Sequence, residues 1–142
     1  MGEIQHPPVA ASWETRGYWE GADRSELVLQ RCRDCHTVQH RPRAICASCL
    51  SSEIGHFVAS GRGTVYTFTV TNQNQMPGFR EACPYVLAYV ELEEGPRLMT
   101  NIVGCDPADV AIGMAVEVDF APPATGKSGK PEGYSIPRFK PA

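Results

Sequence analysis

Four cysteines stand as two matched pairs in the stretch RCRDCHTVQHRPRAICASC (31–49): Cys32 with Cys35, then Cys46 with Cys49, ten residues apart. A C-x2-C turn aims two sulfurs at one point and lets nearby backbone N–H groups donate to the thiolates. Two such turns facing each other make a tetrahedral S4 site, a geometry that Zn2+ accepts without strain. The spacing therefore predicts a zinc ribbon with Cys32, Cys35, Cys46 and Cys49 as ligands. A pair of disulfides and a rubredoxin-type iron centre are the alternatives. With four sulfurs bound, no position is left for water or substrate, so the metal is expected to be structural. His36 and His40 stand beside the cage. Replacement of a cysteine by His36 is unnecessary when four are present, and both histidines are expected as exposed strand residues.

Elsewhere the chemistry thins out. Cys83 and Cys105 lie outside the cage, and a nucleophilic cysteine needs a histidine, a cation or a helix N-terminus to lower its pKa. Cys83, in REACPY after Arg80, is expected as a small half-buried hydrophobe, and so is Cys105 in VGCDP. His6 and His56 have no sequence neighbours that suggest a triad, and the acidic residues are scattered. No catalytic residue is assigned.

The elements that must carry the cage follow from pattern. Residues 12–23, SWETRGYWEGAD, read as a short helix capped by Ser12, with Gly17 against it. This arm holds both tryptophans of the chain, Trp13 and Trp19, with Tyr18 between them; they pack either on the domain or on a partner. ELVLQR (26–31) leads into the first cysteine turn, and HTVQH (36–40) leaves it. Strands are then expected over 54–59, 64–71, 85–92, 97–103 and 115–120, the third and fourth as a hairpin across EEGP. Five strands with a short connector before the last predict a Greek-key barrel of the OB type. The fold class is thus mainly β: helical arm 1–25, rubredoxin-like ribbon 26–53, barrel 54–120, and a flexible loop and tail 121–142 in which YSIPRF adds a last strand or clasp.

Size and charge bound the function. A chain of 142 residues buries about two thirds of its unfolded surface, enough for a real core. A net charge of −3 argues against a general polyanion binder. Tyr66, Phe68 and Tyr89 would serve as stacking platforms for single strands, but around them Arg62, Arg80 and Arg97 are outnumbered by acids, the wrong sign for phosphates. No run approaches a membrane span, and no basic segment followed by an apolar block opens the sequence. Cytoplasmic placement is expected by default, where structural disulfides are rare.

The order of arm, four-cysteine ribbon and barrel, with SGRGTVYTFTV, CPYVLAYVELEEGPRLMTNIVG and IGMAVEVDF along the barrel, resembles the acyl-CoA-associated zinc-ribbon/OB-fold family over residues 12–120. The motifs that carry the likeness are Pro84-Tyr85, Glu94-Gly95 and Ile112-Gly113-Met114, besides the four cysteines. The resemblance implies a non-catalytic subunit that binds a thiolase-fold protein, or else an aldolase or MaoC-like hydratase, in a hetero-oligomer handling CoA thioesters. On that footing Arg31, Arg33, Arg41, Arg43 and Arg80 become candidates for the phosphates of CoA, which guanidinium forks recognise well. Against Asp34 and the formal −2 of a metal–thiolate cage, much of the ribbon arginine also serves simply to offset charge. The amide-rich loop 72–82, NQNQMPGFREA, with Asn74, Met76 and Phe79 and the adjoining Cys83, suits a pantetheine arm or a partner surface.

Overall fold

The computed structural model describes residues 2–142. Helix α1 (Arg16–Asp23) precedes a three-stranded antiparallel sheet ordered β2 (Val38–Gln39), β1 (Val28–Cys32), β3 (Ile54–Val58). Strands β4 (Arg62–Thr71), β5 (Tyr85–Leu92), β6 (Arg97–Ile102) and β7 (Ala115–Ala121) follow. A small hairpin of β8 (Ala124–Thr125) and β9 (Pro131–Glu132) then leads to β10 (Ile136–Pro141). The last five long strands close on themselves in the order β10-β6-β5-β4-β7, with β6 and β10 parallel. This is the five-stranded Greek-key barrel of an OB fold, and closure leaves it no free strand edge.

Helix α1 starts later than expected. Ser12 does not cap it: its carbonyl accepts from Thr15 N at 3.2 Å while its own N–H donates to Thr15 Oγ1 at 3.0 Å, forming a separate turn ahead of the helix. Thr15 then takes the N-cap position.

Strand pairing corrects one further expectation and settles another, the last strand or clasp expected of YSIPRF, as a strand. Residues 54–58 are not the first barrel strand. They pair with β1 over five positions, from Val28 opposite Val58 to Cys32 opposite Ile54, so β3 completes the ribbon sheet. The chain leaves the second cysteine turn beside β1, whose far edge needed a partner. The vacant barrel place is filled from the tail. β10 pairs with β7 from Ile136 opposite Ala121 to Pro141 opposite Val116, and touches β6 only where Phe139 meets Ile102. Two prolines disguise this strand in the sequence; they are tolerated because its second edge carries so few ladder bonds.

The barrel interior is built by period-two alternation. Val86, Ala88, Val90 and Leu92 of β5 and Leu98, Thr100 and Ile102 of β6 point inward, with Val65, Val116 and Phe139. Leu27, Leu29 and Ala59 belong to the same buried cluster, so ribbon and barrel share one core. At Gly63, β4 lies so close to β5 that any Cβ would run into the carbonyl oxygen of Glu91. Glycine is required there by close approach rather than by a turn.

Because Phe139 is fully buried at the barrel's closing strand, Phe139→Ala should lower unfolding stability by about 3–5 kcal/mol in denaturant titration. Deleting residues 134–142 should abolish the cooperative transition; a truncated chain that unfolds like the full one would show β10 to be dispensable.

Candidate functional site

The two cysteine turns are near-copies of each other in hydrogen bonding. Cys32 N donates to Thr37 O at 3.0 Å and His36 N to Cys32 O at 2.9 Å; in the second turn Cys46 N donates to Ser51 O at 2.8 Å and Leu50 N to Cys46 O at 3.0 Å. The residue after the second cysteine takes the left-handed conformation in both, His36 at φ 64 and Leu50 at φ 65. Backbone N–H groups approach the sulfurs, Cys35 N to Cys32 Sγ at 3.5 Å and Ser48 N to Cys46 Sγ at 3.3 Å. Facing one another, the turns bring Cys32 Sγ within 3.6 Å of Cys49 Sγ and Cys35 Sγ within 3.5 Å of Cys46 Sγ; all four sulfurs lie within 4.8 Å. A tetrahedron of sulfurs about 2.3 Å from Zn2+ has edges of about 3.8 Å, so the arrangement fits the ion. All four are free thiols. Cys32 and Cys46 are buried, Cys35 and Cys49 face solvent. Hydrogen bonding with the Thr37 side chain and backbone brings the Cys35 thiol down to about 6. Cys49, despite a backbone hydrogen bond from Ser51, is pushed up to about 12 by burial and the neighbouring cysteines, so the four sulfurs share their protons unequally.

Sequence reasoning missed the pair that aligns the turns. Gln30 and Gln39 sit opposite each other on β1 and β2, both buried. Gln39 Nε2 donates to Gln30 Oε1 at 2.8 Å and to Ile45 O at 3.2 Å. Gln30 Oε1 also accepts from Arg43 N at 2.8 Å, its Nε2 donates to Arg43 O at 3.0 Å, and Gln39 Oε1 accepts from Ala47 N at 2.9 Å. Two satisfied amides thus tie the approach to the second cysteine turn onto the sheet bearing the first. The only sequence signal was a polar residue at an inward position of each strand.

The aromatic arm divides. Tyr18 is packed edge-on against Trp19 at 4.9 Å and against His40 at 5.1 Å, and burial pushes its phenol up. Trp19 leans on Tyr134. Both pack on the domain, and only Trp13, 73% exposed, stays free. His40 is not the exposed residue expected: it is half-buried, and burial, then Arg41, lowers it to about 4. His36 is exposed.

Arg31, Arg33, Arg41 and Arg43 are all exposed, and none forms an ion pair among the described residues. Arg31 lies over the Phe57 ring at 4.4 Å, and the Arg33 side chain runs across Gly55. Arg80 instead turns into its own loop, donating to Gln75 O at 3.0 Å. In that loop Asn74 Nδ2 donates to Tyr85 Oη at 2.9 Å, Phe79 packs between His6 and Tyr85, Met76 is exposed, and Cys83 Sγ donates to Phe79 O.

A cavity of about 350 Å³ lies elsewhere, lined by His6, Tyr85, Asn101, Ile102, Cys105 and Arg138 among others. Its guanidinium is already matched: Arg138 donates to Glu3 at 2.6 Å and to Asp119 at 2.8 Å. Burial, then Asp109 and Asp106, raises the Cys105 thiol, the opposite of what a nucleophile requires.

The purified protein should therefore carry about one zinc per chain by elemental analysis. Cys46→Ser should lose it, and acidification should release it, since protons compete for the thiolates. Iron in its place, or full-strength folding of Cys46→Ser without metal, would contradict the site.

Comparison with known proteins matches this geometry. Residues 19–55 match the family described as the ChsH2 rubredoxin-like zinc ribbon domain, and residues 58–121 the ChsH2 C-terminal OB-fold domain. A chain of the solved "Ltp2-ChsH2(DUF35) aldolase" superposes with a TM-score of 0.80 at 37% identity, covering 94% of this chain and 98% of that one. A "DUF35 domain-containing scaffold protein" of Methanocaldococcus jannaschii is 42% identical over 69% of this chain and 70% of its own length. The "Probable enoyl-CoA hydratase alpha subunit" of Thermomonospora curvata is 38% identical over 96% of this chain, which spans only 40% of that protein. A paired-knuckle ribbon joined through a common core to a five-stranded barrel, matched over both parts, places this chain in the DUF35 family of ChsH2 type.

Proposed function

We propose that this chain is an accessory subunit of an acyl-CoA enzyme, docking on a thiolase-fold partner that makes or breaks a carbon–carbon bond of a CoA thioester. One observation carries the reading: the chain matches, nearly end to end, one chain of a structure described as an Ltp2-ChsH2(DUF35) aldolase. The chemistry of its own residues agrees. Four of six cysteines converge in a closed cage, a fifth has a raised pKa, and the guanidinium beside the 350 Å³ cavity is held by two carboxylates. A Zn2+ in the cage would supply structure, holding the two turns as one rigid face.

Within this reading Arg31 and Arg33 contact the phosphates of CoA. Both guanidinium groups are exposed and without an ion pair among the described residues, one lying over the Phe57 ring and one beside Gly55. That arrangement suits bidentate phosphate recognition. The partner supplies the nucleophile and the acid–base residues. A second reading, a subunit of a hydratase acting on an acyl-CoA, is favoured by the likeness to the hydratase alpha subunit of T. curvata over nearly this whole chain.

Co-expression with a thiolase-fold protein of the same genome should give a stable complex whose acyl-CoA activity exceeds that of either chain alone. Replacing Arg31 and Arg33 together by alanine should weaken CoA binding to that complex about ten-fold or more in calorimetry. Full partner activity without this chain, and no co-purification, would defeat the proposal; a complex formed only with a hydratase would select the second reading.

A further inference from the structure

The two cysteine turns share their backbone but not the residue at the left-handed position. His36 and Leu50 occupy it at φ 64 and φ 65. Glycine, asparagine or aspartate accepts that conformation readily, whereas a bulky side chain is strained there. Leu50 carries the strain and also stands 70% exposed, leaving its isobutyl group in water. The left-handed backbone serves the turn, as at His36, but the exposure of the side chain does not. Exposed apolar side chains gathered on one segment beside a rigid cage mark a surface that another molecule completes.

Two more large apolar side chains lie on adjoining chain. Ile45, 45% exposed, enters the second cysteine turn that Leu50 leaves, and Leu50 N is bonded to Cys46 O at 3.0 Å. Trp13, 73% exposed, is brought to the same segment by its neighbour Glu14, whose Oε1 accepts from Ala44 N at 3.3 Å. Arg41 and Arg43 flank the buried Pro42 just before Ile45; both are exposed and neither has an ion pair among the described residues. The ion-paired arginines, Arg24, Arg62, Arg97 and Arg138, lie outside the cage.

We infer that the second cysteine turn is the docking face, with Trp13, Ile45 and Leu50 as apolar anchors and Arg41 and Arg43 as its cationic rim. Its occupant is the enzyme partner of the accessory-subunit reading, on which this inference rests. Charge names the complementary surface: an apolar socket on the partner edged by carboxylates. A second copy of this chain would bring arginine against arginine, which opposes association. Large aromatic and aliphatic anchors ringed by arginine match the composition of interface centres.

The position of Leu50 makes the test unusually discriminating. Leu50→Asn relieves the strained conformation, so the variant should keep its zinc and melt at a higher temperature than the wild type. It should nonetheless bind the co-purified thiolase-fold partner at least ten-fold more weakly in calorimetry. Arg41→Glu with Arg43→Glu should also weaken binding and flatten its dependence on NaCl. Met99→Asn, at an exposed site on the barrel wall, should bind as the wild type does. Wild-type affinity in Leu50→Asn, or equal losses in Leu50→Asn and Met99→Asn, would overturn the docking face while leaving the accessory role standing. A wild-type chain that binds no partner defeats both. Dimerisation of the isolated chain that Leu50→Asn abolishes would give the face to a second copy and overturn this assignment of the partner.

Discussion

Four cysteine sulfurs gathered within 4.8 Å, in a cage that fits one Zn2+, are the constraint on which the ribbon depends. A sheet of three strands, one of them only Val38–Gln39, has little apolar surface of its own to bury. The cage replaces that missing core. Its two buried sulfurs, Cys32 and Cys46, face inward and its two exposed ones, Cys35 and Cys49, outward. A metal held there would become folding energy for the segment, as in other small metal-held modules.

The rest of the molecule transmits that rigidity. Gln30 and Gln39 fix the second cysteine turn to the sheet that carries the first, with every polar atom of the pair occupied. Leu27 and Leu29 then enter the cluster that fills the barrel, so the ribbon does not swing on a linker. β10 closes the far side and brings Arg138 to Asp119 and Glu3. A surface held this way keeps its shape before a partner arrives, which lowers the entropy lost on association.

The cage was legible in the sequence because a C-x2-C spacing admits few geometries, and the barrel because its strands alternate or are β-branched. The family resemblance, carried by the four cysteines with Pro84-Tyr85, Glu94-Gly95 and Ile112-Gly113-Met114, holds over residues 19–55 and 58–121. Pairing was not legible. Strand propensity says that residues 54–58 are extended, but whether they join the ribbon or the barrel is decided by which edge lies nearest in space. YSIPRF reads as a last strand or a clasp; Pro137 and Pro141 weaken the strand signal, yet Phe139 between them is among the most buried residues. Tyr18, Trp19 and Trp13 looked alike in the arm; contacts with His40 and Tyr134, distant in sequence, separated the packed pair from the exposed one. Leu50 gave no signal at all, since its interest lies in a backbone angle.

The central claim is that a metal-pinned ribbon, fused to a barrel through one core, presents a preformed face. Hydrogen exchange on the zinc-loaded and zinc-stripped chain tests it most directly. Stripping should remove protection from amides of the cysteine turns, such as Cys46 and Leu50, while the strands β4 to β7 keep theirs. Unchanged protection at the turns without metal would contradict the account.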